Sequence, residues 1–344
     1  VGILFLVIII QSILFIIFTI IGDNFYFWIN EAEKCLIITD GDEGAKRVAV
    51  AMSLFKSKYK INEIAGYLDE DLEDKMLLAD TIVMYEIPIE ERTAIIDFCY
   101  RNLKNIYFNP KISDIIEQAG KTAIIDDIPF FSWQFHVLTF EQRIAKRIMD
   151  IIISLIVLII TSPVFLVSAV LIKKYDGGKV FFKQKRATVN GKVFEIYKFR
   201  TMKENVENKS TFVGDDRITP IGKKLRKYRI DELPQLVNII KGDMSLVGPR
   251  PEMLENVDEY TKNLPEFVYR LRMKAGLTGY AQIIGKYNTS SRDKLMLDLL
   301  YIENYSLLKD IQLLFRTVLV IFKAEDSTQA FAGSTKNNGT ENNG

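Results

Sequence analysis

RIAKRIMDIIISLIVLIITSPVFLVSAVLIKK, residues 143–174, is the stretch on which the architecture turns. Its apolar part, Ile148 to Ile172, is long enough to cross a hydrocarbon layer of about 30 Å at about 1.5 Å of rise per residue. Ser162-Pro163 sits just past the middle, where proline removes a backbone donor and breaks or bends a helix. Arg143, Lys146 and Arg147 precede the run and Lys173 and Lys174 follow it, so the residues that favour the cytoplasmic side stand at both ends. A re-entrant helix over 148–172, entering and leaving by one face, satisfies both flanks. A proline-kinked spanning helix is the competing reading.

A second apolar run opens the chain. Val1 to Gly22 is almost unbroken, and the spacing predicts a transmembrane helix over 1–22. It lacks the basic start and small-residue cleavage site of a signal peptide. The chain begins without Met, which leads us to expect a fragment with further spans upstream.

Between the two runs, residues 31–140 read as a Rossmann-like α/β domain. Short β-rich stretches, Cys35–Thr39, Ile61–Tyr67, Thr81–Tyr85, Ile106–Phe108 and Thr122–Ile125, alternate with polar or amphipathic ones, as in a small parallel sheet. The first turn, Asp40-Gly41-Asp42-Glu43-Gly44, places three acids where a dinucleotide site would seat its pyrophosphate against a helix N-terminus. A scaffold without a nucleotide is the favoured reading.

Composition narrows the chemistry. The 344 residues contain two cysteines, Cys35 and Cys99, and one histidine, His136. Thiolate or imidazole zinc cages and serine–histidine catalysis have almost no raw material. Catalysis falls to carboxylates, lysines or arginines. Residues 31–142 carry 12 Lys+Arg against 21 Asp+Glu, whereas residues 173–230 carry 17 against 6. The second region calls for an anionic partner, whether nucleic acid, a phosphorylated substrate or the anionic lipid face of a membrane, and the flanking sequence supports the membrane.

Within that basic region, Val180–Lys185 and Lys192–Met202 flank Asn190-Gly191, a pair that favours a hairpin. Ile221, Leu225 and Tyr228 recur at helical spacing among cations, the pattern of a helix lying in the headgroup layer. Asp231-Glu232 follow, then Pro234 and an apolar run. Proline suits a first helical turn, so both carboxylates belong at or just before a helix N-terminus. A cap or dipole role is the plain explanation for such a pair. Beside a membrane, a division of labour is also open, one carboxylate binding a divalent metal and the other attacking phosphorus. Pro249 and Pro251 stiffen the chain around Arg250, whose guanidinium suits bidentate phosphate binding.

KFRTM (198–202), DDRITPIGKKLRKYRIDELPQLVNIIKGDMSLVGPRP (215–251), GLTGYAQ (276–282) and DLLYIENYSLLKDI (298–311) resemble the bacterial sugar transferase family, the monotopic phosphoglycosyl transferases. The likeness runs from Arg143 to Lys323, and the preceding part resembles the membrane-plus-Rossmann-like module of larger members. The resemblance implies an α+β catalytic domain over 143–323, with a re-entrant helix broken at Ser162-Pro163 and amphipathic surface helices. It implies Asp231 as the nucleophile on the β-phosphate of a UDP-sugar and Glu232 as its Mg2+-binding partner. A polyprenyl phosphate, undecaprenyl phosphate in bacteria, then takes the phosphosugar. Arg200, Arg250, Pro249, Pro251 and Gln282 are the implied substrate-binding residues. The implied location is the bacterial inner membrane, with the soluble parts facing the cytoplasm.

The competing functional reading is a non-catalytic membrane scaffold or nucleotide-sensing regulator of polysaccharide assembly. The sequence names neither the sugar nor the glycan pathway, and a homo-oligomer is open. The tail, 324–344, is rich in Asn, Gly, Ser and Thr, a composition of disorder.

Overall fold

The computed structural model describes residues 2–55, 57–133, 138–204, 215–285 and 289–322. His136 and the tail 324–344 lie outside the described residues. These fall into two compact units divided between Pro110 and Lys111.

The first unit begins with helix α1, Gly2–Ile29, which extends seven residues past the apolar run and is exposed wherever its side chains are described. Its part Ile10–Ile29 is long and apolar enough to cross a membrane. A parallel sheet follows, in the order β2 (Tyr59–Gly66), β1 (Glu33–Thr39), β3 (Thr81–Tyr85), β4 (Asn105–Phe108). Central strands β1 and β3 are near-continuous apolar runs because both of their faces are covered. Leu36, Ile38, Ile82 and Met84 pack with Met76, Ile95 and Cys99, and Ile37 and Val83 with Ala45. Helices α2 (Asp42–Ser53), α3 (Leu72–Leu78) and α4 (Ile89–Arg101) connect the strands. Both cysteines are buried and unpaired.

Thr122–Ile125 does not join this sheet. It lies in β5 (Lys121–Ile125), which follows α5 (Ile112–Gln118) and forms an antiparallel hairpin with β6 (Ile128–Ser132). The intervening Asp126 adopts φ +61°. A two-residue turn closes β5 onto β6 as a hairpin, and although α5 precedes β5 as a crossover would, strand propensity does not choose between that partner and the sheet edge.

In the second unit, α6 runs without a break from Phe140 to Asp176, with Pro163 inside it. It is long and apolar enough to cross a membrane. Thr139 and Gln142 form a capping box at its start, and Gly177, at φ +73°, ends it. Proline 163 has no N–H for the carbonyl of Ile159, and Ser162 Oγ donates to that carbonyl at 2.8 Å instead. The serine thus satisfies the acceptor that proline orphans.

Strands β7 (Phe181–Ala187) and β8 (Val193–Phe199) form the expected hairpin. Asn190 and Gly191 take φ +57° and +71°, the left-handed conformations that Asn and Gly accept most readily. Helix α7 (Pro220–Lys227) is capped by the Thr219 hydroxyl, which accepts from Gly222 N at 2.9 Å. Its apolar residues differ from expectation. Leu225 is buried and Ile221 half-buried against Phe199 and Ile172, so these two face the protein, whereas Tyr228, the C-cap, is exposed. Helix α8 (Gln235–Lys241) and β9 (Ser245–Val247) follow, then α9 (Leu254–Asn263). Strand β10 (Gly276–Thr278) lies parallel to β9. Short α10 (Tyr280–Ile283), then α11 (Ser291–Glu303) and α12 (Leu307–Phe322), complete the order. Leu236, Ile239, Leu246, Leu295, Leu299 and Leu313 belong to the core. Helix α12 also carries an exposed apolar face, including Leu308, Ile311, Phe315 and Leu319.

Candidate active site

The Asp231-Glu232 pair occupies a single 3-10 turn, Ile230–Glu232, between α7 and α8. Arg229, just before it, is in the left-handed region at φ +53°, which reverses the chain after α7. A non-glycine residue held there is strained and requires support from its surroundings. Pro234 begins the apolar helix as its spacing predicts.

Asparagine 238 fixes α8 to β8. It is fully buried; its Oδ1 accepts from Tyr197 N at 2.9 Å, and its Nδ2 donates to Glu195 O at 2.7 Å. One amide therefore completes two backbone groups of the strand and sets the dyad beside the strand's last residues. At the other end of α8, Arg147 donates to the carbonyls of Ile239 and Ile240 at 2.6 and 2.7 Å. These are terminal helix carbonyls, which a guanidinium suits.

Cations converge on Glu232. Lys198 Nζ lies 2.9 Å from Oε1, Arg250 NH2 3.9 Å from Oε1, and Arg229 NH1 3.9 Å from Oε2. Burial alone would raise the carboxyl, but Lys198, then Arg250 and Arg229, outweigh it and hold it down to about 2. Asp231 is pushed the other way, to about 6, by burial and by the charge of Glu232, against weaker pulls from Lys198 and Arg226. Two adjacent carboxylates thus divide into a permanent anion and a titratable neighbour, both partly exposed.

A cleft beside the dyad is lined by Lys198, Glu232, Arg250, Pro251, Arg186 and Gly276. An adjoining cleft has Pro249, Arg250, Glu252 and Arg270 in its wall, so Arg250 borders both. Gln282 Nε2 donates to Gly276 O at 3.3 Å, and its buried Oε1 has no hydrogen-bond partner among the described residues. The structure therefore brings Glu232, Arg250 and Pro251 together, with Asp231 adjoining, Pro249 next door and Gln282 behind Gly276.

Arg200 is differently placed. Its NH1 donates to Asp176 Oδ2 at 2.6 Å, NH2 pairs with Asp176 Oδ1, and Nε donates to Lys179 O at 2.6 Å. This guanidinium ties the end of β8 to the end of α6.

Lys198, Arg186 and Arg229 were absent from the sequence-based site. Lys198 shares a strand face with buried Phe194 and Ile196, and a lysine two residues beyond two buried apolar positions was the available signal. Arg186 stands opposite Phe194 on the paired strand. Burial lowers its guanidinium to about 10, and its Nε has no hydrogen-bond partner among the described residues. Nothing in sequence marks Arg229, whose role follows from its backbone conformation.

Among the described residues no cluster of three or more His, Cys, Asp or Glu could hold a metal ion. Mg2+ does not require one, since it commonly binds through one or two carboxylates completed by substrate phosphates and water. The dyad fits that mode: it offers two adjoining, partly exposed carboxylates, with Glu232 in the cleft wall.

These features lie within a stretch that resembles known proteins. Residues 141–324 match the family described as bacterial sugar transferase. Over 182 residues the chain is 42% identical to a UDP-N-acetylgalactosamine-undecaprenyl-phosphate N-acetylgalactosaminephosphotransferase of Aeromonas hydrophila, covering 51% of this chain and 43% of that one. An uncharacterized sugar transferase of Bacillus subtilis is 39% identical over 54% of this chain and 91% of its own. A galactosyl transferase of Streptococcus agalactiae is 32% identical over 330 residues, 84% of this chain and 71% of that one. The chain thus spans less than half the length of the Aeromonas relative.

Proposed function

The chain belongs to the bacterial sugar transferase family, and from that premise we propose that it transfers a sugar-1-phosphate from a UDP-sugar to polyprenyl phosphate, releasing UMP. The observation that carries this reading is the unequal dyad, in which three cations gather on Glu232 while Asp231 stays titratable and accessible.

The ionised Asp231 carboxylate attacks the β-phosphorus of the donor. The bond from that phosphorus to the bridging oxygen breaks, and UMP leaves with the oxygen. A phosphate oxygen of the polyprenyl acceptor then attacks the same phosphorus, breaking its bond to Asp231 and carrying the phosphosugar away. Mg2+ on Glu232 would shield the repulsion between Asp231 and the diphosphate. Arg250 reaches the phosphoryl oxygens from the cleft wall, and Lys198 keeps Glu232 ionised and aimed. Pro249 and Pro251 limit the freedom of the chain that carries Arg250.

Helix α6 holds this site at the edge of a bilayer, the solvent of the acceptor's lipid chain. We read it as re-entrant, with basic residues at both ends on the cytoplasmic side of the inner membrane. The names of the Aeromonas and Streptococcus relatives specify different sugars, so the donor is assigned here only as a UDP-sugar.

UMP release in lipid particles, from a panel of UDP-sugars with Mg2+ and undecaprenyl phosphate, tests the reading. Acceptor-dependent release that Asp231→Asn abolishes is expected. Wild-type turnover by Asp231→Asn would exclude the aspartyl route.

A further inference from the structure

The segment that carries Arg250 is fastened at successive positions. Gly248 N donates to Thr278 O at 2.9 Å, and Gly276 N donates to Pro249 O at 2.8 Å. Arg270 NH2 donates to Arg250 O at 2.7 Å, and Arg186 NH1 to Pro251 O at 3.3 Å. Where the segment leaves β9, the carbonyl of Val247 accepts from Lys146 Nζ at 3.0 Å and from Tyr301 OH at 3.2 Å.

Both donors are themselves held by Asp310. Lys146 Nζ lies 2.5 Å from Asp310 Oδ2 and donates to Tyr301 OH at 3.1 Å, and the single hydroxyl proton of Tyr301 is shared between Asp310 Oδ1, at 2.7 Å, and the longer contact to Val247 O. All three residues are buried. One helical turn beyond Lys146, Asp150 Oδ1 accepts from Leu246 N at 2.9 Å and from Ser245 Oγ at 3.0 Å. One face of α6 therefore grips the whole of β9.

A buried ion pair is weak evidence of a contribution to stability, because desolvation offsets much of its attraction and apolar replacements often serve as well. This pair has a directional output. Its donors meet on a carbonyl three residues before the guanidinium that borders both clefts. The link between them is stiff: Pro249 fixes its own φ, Pro251 restricts Arg250, and a Cβ on Gly248 would lie 2.3 Å from Lys274 O.

We propose that Lys146, Tyr301 and Asp310 are positioning residues for Arg250, setting through the Val247 carbonyl the direction from which its guanidinium meets the donor's diphosphate. The inference rests on the preceding reading of Arg250 as a diphosphate ligand. Because Lys146 belongs to α6, the helix that seats the protein in lipid also sets the geometry of donor binding.

The test is a mutant cycle on the full chain in lipid particles. Tyr301→Phe removes the hydroxyl shared between Val247 O and Asp310 at nearly constant shape; Lys146→Met with Asp310→Asn removes both charges together, so that neither is left buried alone. Each is measured with and without Arg250→Ala, for UDP-sugar turnover and for UDP affinity by calorimetry. Tyr301→Phe is expected to raise the donor KM and the UDP Kd roughly fivefold. The acceptor KM should stay unchanged, and the effect should disappear in the Arg250→Ala background. An equal loss with and without Arg250, or a lowered melting temperature with unchanged UDP affinity, would overturn the positioning role. A wild-type protein that turns over normally while the cycle is additive fails this inference alone. One that binds no UDP and releases no UMP overturns the reading of Arg250 and this inference with it.

Discussion

Lys198 Nζ stands 2.9 Å from Glu232 Oε1, and with this contact two neighbouring carboxylates acquire opposite characters. Glu232 stays ionised to about pH 2, whereas Asp231, with burial and a fixed anion beside it, is held up to about 6. A folded-state value above the ordinary one means that the folded protein binds the proton more tightly than the unfolded chain does. Between about pH 4 and 6 the contribution of Asp231 to stability therefore falls as pH rises. In chelator, Asp231→Asn is expected to melt higher than wild type above pH 6, by on the order of 1–2 kcal/mol, and to match it near pH 4. Melting curves from pH 4 to 8 check this; equal stability at pH 7 would contradict the raised Asp231.

Removing the cation should shift the same balance. Lys198→Met leaves Glu232 with Arg250 and Arg229 at 3.9 Å and removes a charge that also lowers Asp231. The acid limb of kcat/KM for UMP release should then move to higher pH, with a fall of roughly tenfold or more at neutral pH. Lys198→Arg should recover part of that loss, since it restores charge without the original geometry. A pH profile unchanged by Lys198→Met would show that the lysine does not act on the dyad.

Where sequence reading succeeded, local pattern and tertiary need coincided. Strands β1 and β3 are covered on both faces, so their apolar runs were unambiguous, and Asn190-Gly191 announced its turn chemically. Strand β5 was legible as a strand but not as to its partner, because propensity does not encode pairing. An amphipathic pattern likewise does not say what covers its apolar side: α7 turns Leu225 into the protein core, whereas α12 leaves Phe315 exposed. At the site, the Asp231-Glu232 pair alone reads as a helix cap, and it was singled out with Arg250 by the flanking prolines and the family resemblance. Lys198 was hidden among many lysines, and the strain at Arg229 exists only in the folded backbone.

The ion pair of Arg200 with Asp176 leads to a separable expectation. With its guanidinium committed to that carboxylate and to Lys179 O, Arg200→Lys should cost about 2 kcal/mol of stability, since an ammonium cannot make the same forked contact. The donor KM of the folded fraction should be unchanged. Chemical denaturation and steady-state kinetics on the same preparation decide it, and a raised KM at unaltered stability would instead place Arg200 at the phosphates.

Ser162 and Pro163 give the most direct test of how α6 tolerates its proline. The Ile159 carbonyl lacks the usual helical donor because Pro163 has none, and it is served by Ser162 Oγ at 2.8 Å. In lipid an orphaned carbonyl finds no water, so Ser162→Ala should destabilise the helix by about 1–2 kcal/mol. Pro163→Ala supplies the missing N–H, after which the serine hydroxyl is no longer required. The double replacement should therefore be more stable than Ser162→Ala alone, and the coupling between the two sites should be about 1 kcal/mol. Equilibrium unfolding in mixed micelles measures all four corners of the cycle. Additive effects would mean that the serine serves some other partner. The predicted coupling would explain why a hydroxyl residue immediately precedes this proline, since it lets an apolar helix carry a proline without leaving a carbonyl unmet.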